Sequence, residues 1–180
     1  PAISGNRVVW TDYRNSINYG DIYMRDLAQP NDTFVSRGSD LPGAATVPDA
    51  KKDKRNADID GDIVVWEDMR NAYQDAQGWW HNPDIYTKNL FTGIEQAVCT
   101  NLEDQYNPVV SGNRIFWQDY RNGNWDIYMK DLSTGLETRL TTNTSAQSWP
   151  SASGDFLAWK DLREGDEDIY FRNLTTMAPE

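Results

Sequence analysis

Four times along the chain an aspartate and an arginine stand two residues apart behind a tryptophan, and a second aspartate follows. The sets are Trp10, Asp12, Arg14 and Asp21; Trp66, Asp68, Arg70 and Asp84; Trp117, Asp119, Arg121 and Asp126; and Trp159, Asp161, Arg163 and Asp168. A two-residue spacing puts Asp and Arg on one side of an extended chain, and the planar guanidinium grips a carboxylate through two hydrogen bonds. The expected result is a repeated Asp–Arg–Asp brace that caps a hairpin and ties the repeats together, with no cofactor and no metal. The same oxygens admit a calcium reading, because Asp119, Asn122, Asn124 and Asp126 surround Gly123, and Asp161, Asp166 and Asp168 form a second set. That reading departs from the calcium loop in spacing, and Arg121 and Arg163 place a cation among the ligands.

Other catalytic constellations are thin. His81 is the sole histidine, which excludes a His-rich zinc site and leaves any Ser-His-Asp triad hanging on one residue. There is no G-x-S-x-G elbow and no phosphate-cradling glycine loop. Paired carboxylates for glycoside hydrolysis depend on a separation that sequence does not give, so a fragment of a polysaccharide-active lyase or hydrolase stays open as the alternative function. Against it, catalytic residues are normally singular, and these acids recur in every repeat. What is singular lies between Asp68 and Asp84, where Tyr73, Trp79, Trp80 and His81 lengthen one connection. Exposed aromatics on a loop can stack on sugar rings or anchor a protein partner; folded back, the same side chains would be local core.

The elements that must carry these residues follow from repetition, the first thing to seek in a chain of this kind. Ser111–Leu132 reads SGNRIFWQDYRNGNWDIYMKDL, and Ser4–Leu27 reads SGNRVVWTDYRNSINYGDIYMRDL. Looser copies run over Asp60–Leu90 and Ser153–Leu174, and the anchoring tryptophans are 56, 51 and 42 residues apart. In the third copy, short runs rich in Val, Ile, Phe, Tyr and Trp lie between turn-forming clusters, predicting strands at 107–110, 114–119, 126–131 and 137–141. Four antiparallel strands in a repeat of this length make a propeller blade. The second strands (RVVW, IVVW, RIFW, FLAW) are apolar at consecutive positions, as expected of strands covered on both faces; a one-sided sheet would alternate. The fold class expected is all-β, a β-propeller of four tandem four-stranded blades, the last incomplete. The blades fall at about 1–37, 57–101, 107–143 and 149–176, with insertions at about 38–56 and 71–83.

The phrase P-x-x-S-G-x-x-x-x-W-x-D-x-R followed by D-I-Y-x-x-D-L-x-T-G-x-E-x-x-L-T resembles the TolB-type propeller repeats of bacterial periplasmic proteins and of archaeal and bacterial cell-surface proteins. Ser111-Gly112-Asn113 stands where TolB-like repeats often carry S-P-D-G, and the Trp-rich variant looks more like the surface-layer type. The resemblance implies the fold, and outside the cell or in the periplasm it implies a structural, adhesive or binding module with a protein or surface glycan as partner. A net charge of −11 repels nucleic acid, and no stretch approaches the ~20 apolar residues of a membrane span. Glycosylation acceptor patterns begin at Asn31, Asn143 and Asn173, a pattern that also arises by chance. Cys99, alone in the chain, is expected to be a buried small hydrophobe.

Pro1–Ser4 aligns with a first strand, and 175–180 stops short of a fourth, so the edge beside Asp168–Leu174 should lack a partner. Open edges invite pairing; either the chain belongs to a larger ring or a neighbouring copy completes the blade.

Overall fold

The computed structural model describes residues 1–41, 43 and 45–176. Pro42 and Ala44, within the expected insertion 38–56, and residues 177–180 of the tail lie outside the described residues. Among the described residues no helix is long and apolar enough to cross a membrane. Among the described residues, regular helix is confined to two short 3-10 turns, Gly38–Asp40 and Asp49–Lys52.

The rest is strand. The first sheet holds β1 (Ala2–Ser4), β2 (Arg7–Asp12), β3 (Asp21–Asp26) and β4 (Thr33–Ser36), paired in chain order. The second contains β5 (Lys54–Asp60) and β6 (Ile63–Asp68), then, after a small separate hairpin of β7 (Tyr73–Gln74) and β8 (Trp80–His81), β9 (Asp84–Asn89) and β10 (Glu95–Cys99). The third is β11 (Gln105–Ser111), β12 (Arg114–Asp119), β13 (Asp126–Asp131) and β14 (Glu137–Arg139). The fourth has three strands, β15 (Gln147–Ser153), β16 (Phe156–Asp161) and β17 (Asp168–Asn173). The first strands of successive sheets lie against one another, β1 with β5, β5 with β11 and β11 with β15. First strands therefore converge while the outer strands diverge, and the sheets fan about a common axis.

Sheets stack through both faces, as consecutive apolar residues in the second strands require. At the first junction Val9, Ile22 and Val35 meet Ile59, Val64, Trp66 and Tyr86. At the second, Val65, Ile85, Val98 and Cys99 meet Val110, Ile115, Trp117 and Tyr128. At the third, Phe116, Ile127 and Leu140 meet Leu157 and Trp159. The side chain of one sheet's Trp thus packs on the Ile of the sheet before it. A cation on the third strand fastens each junction to a carbonyl in or just after the fourth strand of the preceding sheet: Lys88 Nζ to Val35 O at 2.6 Å, Lys130 Nζ to Val98 O at 2.8 Å, and Arg172 Nη1 to Leu140 O at 2.7 Å.

The first strands of the second, third and fourth sheets begin earlier than sequence suggests, because each of these three carries a bulge. Asn56, Asn107 and Trp149 stand at φ of 52°, 53° and 54°, and pairing shifts register there. In a sequence such a residue reads as a turn. In the structure it marks an interlock: Asn107 N donates to Glu67 Oε1 at 2.7 Å, and Trp149 N donates to Gln118 Oε1 at 3.0 Å, each reaching the sheet before it.

Candidate functional site

The repeated acids, Asp168 excepted, are consumed by their neighbours. Each Trp-x-Asp places the indole and the carboxylate on one side of the strand, and Nε1 donates to Oδ2 at 2.7, 2.9, 2.9 and 3.0 Å for Trp10, Trp66, Trp117 and Trp159. The arginine closes the turn behind the strand. Its backbone N donates to the aspartate Oδ1, and its guanidinium bonds Oδ2 at 2.5 Å in Arg14 and 2.6 Å in Arg70, Arg121 and Arg163. The guanidinium then lies over the tyrosine of the third strand, 3.8 Å from the ring centre in Arg70–Tyr86 and 4.2 Å in Arg121–Tyr128, a cation–π contact. A fourth-strand acid takes its far side, Glu95 from Arg70 and Glu137 from Arg121, both at 2.6 Å. The Arg14 side chain holds Asp12 down to about 2. Burial works to raise Asp68 and Asp161, yet bonds from Arg70 and Arg163 bring both below the ordinary carboxylate range.

The second aspartate is held differently from the expected brace. An asparagine, not the arginine, takes it: Asn15 to Asp21 at 3.0 Å, Asn71 to Asp84 at 2.6 Å and Asn122 to Asp126 at 3.0 Å. The same amide reaches the neighbouring tyrosine hydroxyl. In the fourth repeat Glu164 occupies the asparagine's place and Asp168 is exposed. As for calcium, Asn124 Nδ2 turns away to Asn143 O and Ser145 O, both at 3.1 Å, and among the described residues no three His, Cys, Asp or Glu side chains are grouped to hold a metal.

Charge balance in these clusters exposes one odd member. Asp126 also pairs with Arg139 at 2.8 Å. In the second sheet Ala97 stands at that position, opposite Tyr86 as Arg139 is opposite Tyr128. The cation there is Lys54, fully buried, 3.3 Å from Asp68, where the third and fourth sheets have Gln105 and Gln147. Asp84 is left with Asn71 alone and an unpartnered, buried Oδ1. Burial pushes its carboxyl up to about 7. The folded state therefore holds a proton that the unfolded chain has released, and stability falls as pH rises from about 4 to about 7. Asp84→Asn, which imitates the protonated carboxyl, is expected to melt higher than the wild type at about pH 8 and equally at about pH 4. Equal melting temperatures at both pH values would show that the carboxylate is compensated.

Cys99 is buried, with Arg121 Nη2 at 2.9 Å from Sγ. Burial pushes its thiol up to about 12, so it is unreactive despite the nearby cation.

The singular aromatics lie elsewhere. Tyr73 and His81 stack at 5.6 Å across the β7–β8 hairpin, and His81 Nε2 bonds Asp75 Oδ2 at 2.9 Å. That contact raises the histidine and lowers the aspartate from their ordinary values. Trp79 is 70% exposed, while Trp80 is half-buried. Trp79 precedes β8 and faces solvent, whereas Trp80 opens the strand and is partly covered. A second aromatic group, not singled out from sequence, gathers near the axis: Trp125 lies 5.7 Å from Tyr106 and 5.0 Å from Tyr120. Close by, Trp149 is tied through its backbone to Gln118, the cross-strand partner of Tyr106. Its indole is 62% exposed.

No family model matches the sequence, and no curated protein matches it either. Solved structures do. TolB from Acinetobacter baumannii superposes with a TM-score of 0.67 at 17% identity, over 98% of this chain and 41% of its own. The putative TolB from Agrobacterium tumefaciens gives 0.66 at 15% identity, over 94% and 58%. The β-propeller domain of the Trilobed protease from Pyrococcus furiosus gives 0.55 at 10% identity, over 96% and 56%. The fold is a β-propeller. At these identities the likeness fixes architecture and nothing further, and the chain spans about half the length of the propeller proteins it matches.

In the propeller frame the four sheets are blades, and the connections between second and third strands emerge on one face together with those between blades. That face carries the β7–β8 hairpin of blade two, with Tyr73, Trp79, Trp80 and His81, and the Tyr106–Tyr120–Trp125 group of blade three. A clue to Trp149 was available in the sequence. It occupies the bulge position that holds asparagine in blades two and three, and asparagine tolerates positive φ where a bulky residue does not. Strain of this kind at an exposed aromatic points to use.

Proposed function

We propose that the chain is a non-catalytic recognition module that engages a protein or a surface glycan through the loop face of the propeller, outside the cell, at its surface or in the periplasm. One observation carries the reading: the repeated charged residues, apart from the exposed Asp168, are occupied in holding the fold, whereas the exposed aromatics on the loop face are singular and carry no comparable structural duty. The non-repeated acids of blade two support it. Asp58 accepts Val110 N at 2.9 Å, and Glu67 accepts both Asn107 N and Asn56 Nδ2 at 2.7 Å. These carboxylates are spent on locking blade three to blade two and are not poised as an acid–base pair. Large, semi-rigid aromatic side chains dominate binding hot spots.

The test is tryptophan fluorescence titration against purified neutral and acidic surface oligosaccharides, alongside binding to immobilised cell-envelope protein fractions. Trp79→Ala and Trp149→Ala are each expected to weaken the interaction found by about 30-fold, the hot-spot scale of about 2 kcal/mol, with unchanged thermal unfolding. Binding that survives both substitutions would move the site off the loop face, and turnover of any oligosaccharide would overturn the non-catalytic reading.

A further inference from the structure

Two of the three blade junctions carry an arginine latch on the rim opposite the loop face. It springs from the first residue of the second strand. Arg7 of blade one crosses to the Gly61–Asp62 turn of blade two, where its Nη1 donates to Gly61 O at 3.1 Å and to Asp62 Oδ1. Arg114 of blade three crosses to the Gly154–Asp155 turn of blade four, where its Nη2 donates to Gly154 O at 2.8 Å and to Asp155 Oδ1 at 2.7 Å. A turn carbonyl and the side-chain oxygen of the next residue thus serve together as the acceptors of one guanidinium.

The junction between blades two and three has the turn without the latch. Ile63 stands in the arginine's place and packs, with Leu132, against the core of that junction. The receiving turn is Gly112–Asn113, so the carbonyl is kept and an amide replaces the carboxylate. Among the described residues, neither Gly112 O nor the Asn113 side chain takes part in a hydrogen bond. At this place a cleft of about 280 Å³ opens, with Ile63, Ile94 and Leu132 as apolar walls and Gln96, Asn113 and Ser133 as polar ones. An adjoining cleft shares Asn113 and Ser133 and adds the carboxylates of Asp60 and Asp131. Asp60 Oδ2 accepts Gly112 N at 2.8 Å, which brings its charge directly under the turn. Arg114, which also lines that second cleft, is already committed to Gly154 and Asp155.

We propose that the cleft between blades two and three binds an arginine side chain of a partner polypeptide, repeating from outside the chain the contact that Arg7 and Arg114 make within it. The methylenes lie along Ile63, Ile94 and Leu132, as arginine stems do on apolar surface, and the guanidinium donates to Gly112 O and Asn113 Oδ1. Lysine fits less well, because a compact ammonium lacks the flat, forked donor set. The net charge of −11 draws cationic partners toward the chain. This site is independent of the loop face, which lies at the other end of the strands.

Titration of the isotope-labelled chain with the blocked tripeptide acetyl-Gly-Arg-Gly-amide, followed by backbone amide chemical shifts, tests this. Saturable shifts at millimolar peptide are expected within 87–96 and 111–133, the segments that line the cleft, and not at Trp79 or Trp149. The lysine tripeptide should bind about tenfold more weakly. Asn113→Asp, which restores the acid found at the other two junctions, should tighten binding about fivefold, and Asn113→Lys should abolish it. Asn113 is exposed, so both variants should melt as the wild type does. Ile63→Arg combined with Asn113→Asp builds the latch into the junction and should exclude the peptide altogether; should that double variant fail to fold, the two Asn113 variants decide alone. Absence of a saturable shift, equal binding of the two tripeptides, or indifference to both Asn113 variants would overturn the proposal. Free arginine binding as tightly as the tripeptide would overturn it too, by giving the cleft to a small metabolite in place of a partner chain.

Discussion

Trp117→Ala is expected to cost about 3–5 kcal/mol, the range for truncating a large buried aromatic. The indole is fully buried at the middle junction, stacks on Tyr128 with ring centres 6.1 Å apart, and donates to Asp119. Its removal opens a cavity between two blades whose backbones are interlocked on either side, so the site cannot collapse freely. It also strips a donor from a buried carboxylate. Urea unfolding followed by far-ultraviolet circular dichroism measures the loss, and a cost under about 1 kcal/mol would mean that the junction relaxes around the gap.

Arg121→Ala is expected to cost as much, about 3–5 kcal/mol, by a different route: breaking a buried pair leaves a charge without compensation. Asp119 is fully buried, and Arg121 supplies it with three hydrogen bonds while also reaching Glu137; alanine keeps only the backbone one. The equivalent Arg70→Ala should cost distinctly less, since Lys54 sits 3.3 Å from Asp68 and continues to neutralise it. Paired urea melts of the two variants decide the matter. Equal losses would show that Lys54 contributes little to Asp68.

Repetition made much of this legible. The second and third strands of blade three, Arg114–Asp119 and Asp126–Asp131, coincide with the expected spans, because apolar runs and an Asn-Gly turn are local features. The pairing of Asp with the Arg two residues on was equally local. What escaped was set by tertiary contact. Asn15, Asn71 and Asn122 look like ordinary turn residues, yet each holds the second aspartate from across the hairpin. Gln105 and Tyr106 belong to a first strand that resumes after a left-handed residue, and no periodicity survives such a break. The exchange of cations between Lys54 and Arg139 involves different strands of different blades, and only a register of the sheets reveals that the two side chains serve the same carboxylate pair. Trp79 and Trp80 were ambiguous because the exposure of each depends on how the short hairpin around β8 folds, and only Trp80 lies on that strand.

The third-strand cation that reaches a carbonyl of the blade before it makes each junction complete within two adjacent blades. Among the described residues, no contact of this type skips a blade. Cohesion is therefore close to a nearest-neighbour sum, as in other stacked repeats, and loosening at a free end need not travel inward. A whole blade can be gained or lost by duplication or deletion of one genetic unit without rebuilding the surviving interfaces, whereas half a blade cannot. The unit on which variation can act is the blade with its outgoing and incoming faces, which leaves the loops at one rim free to diverge.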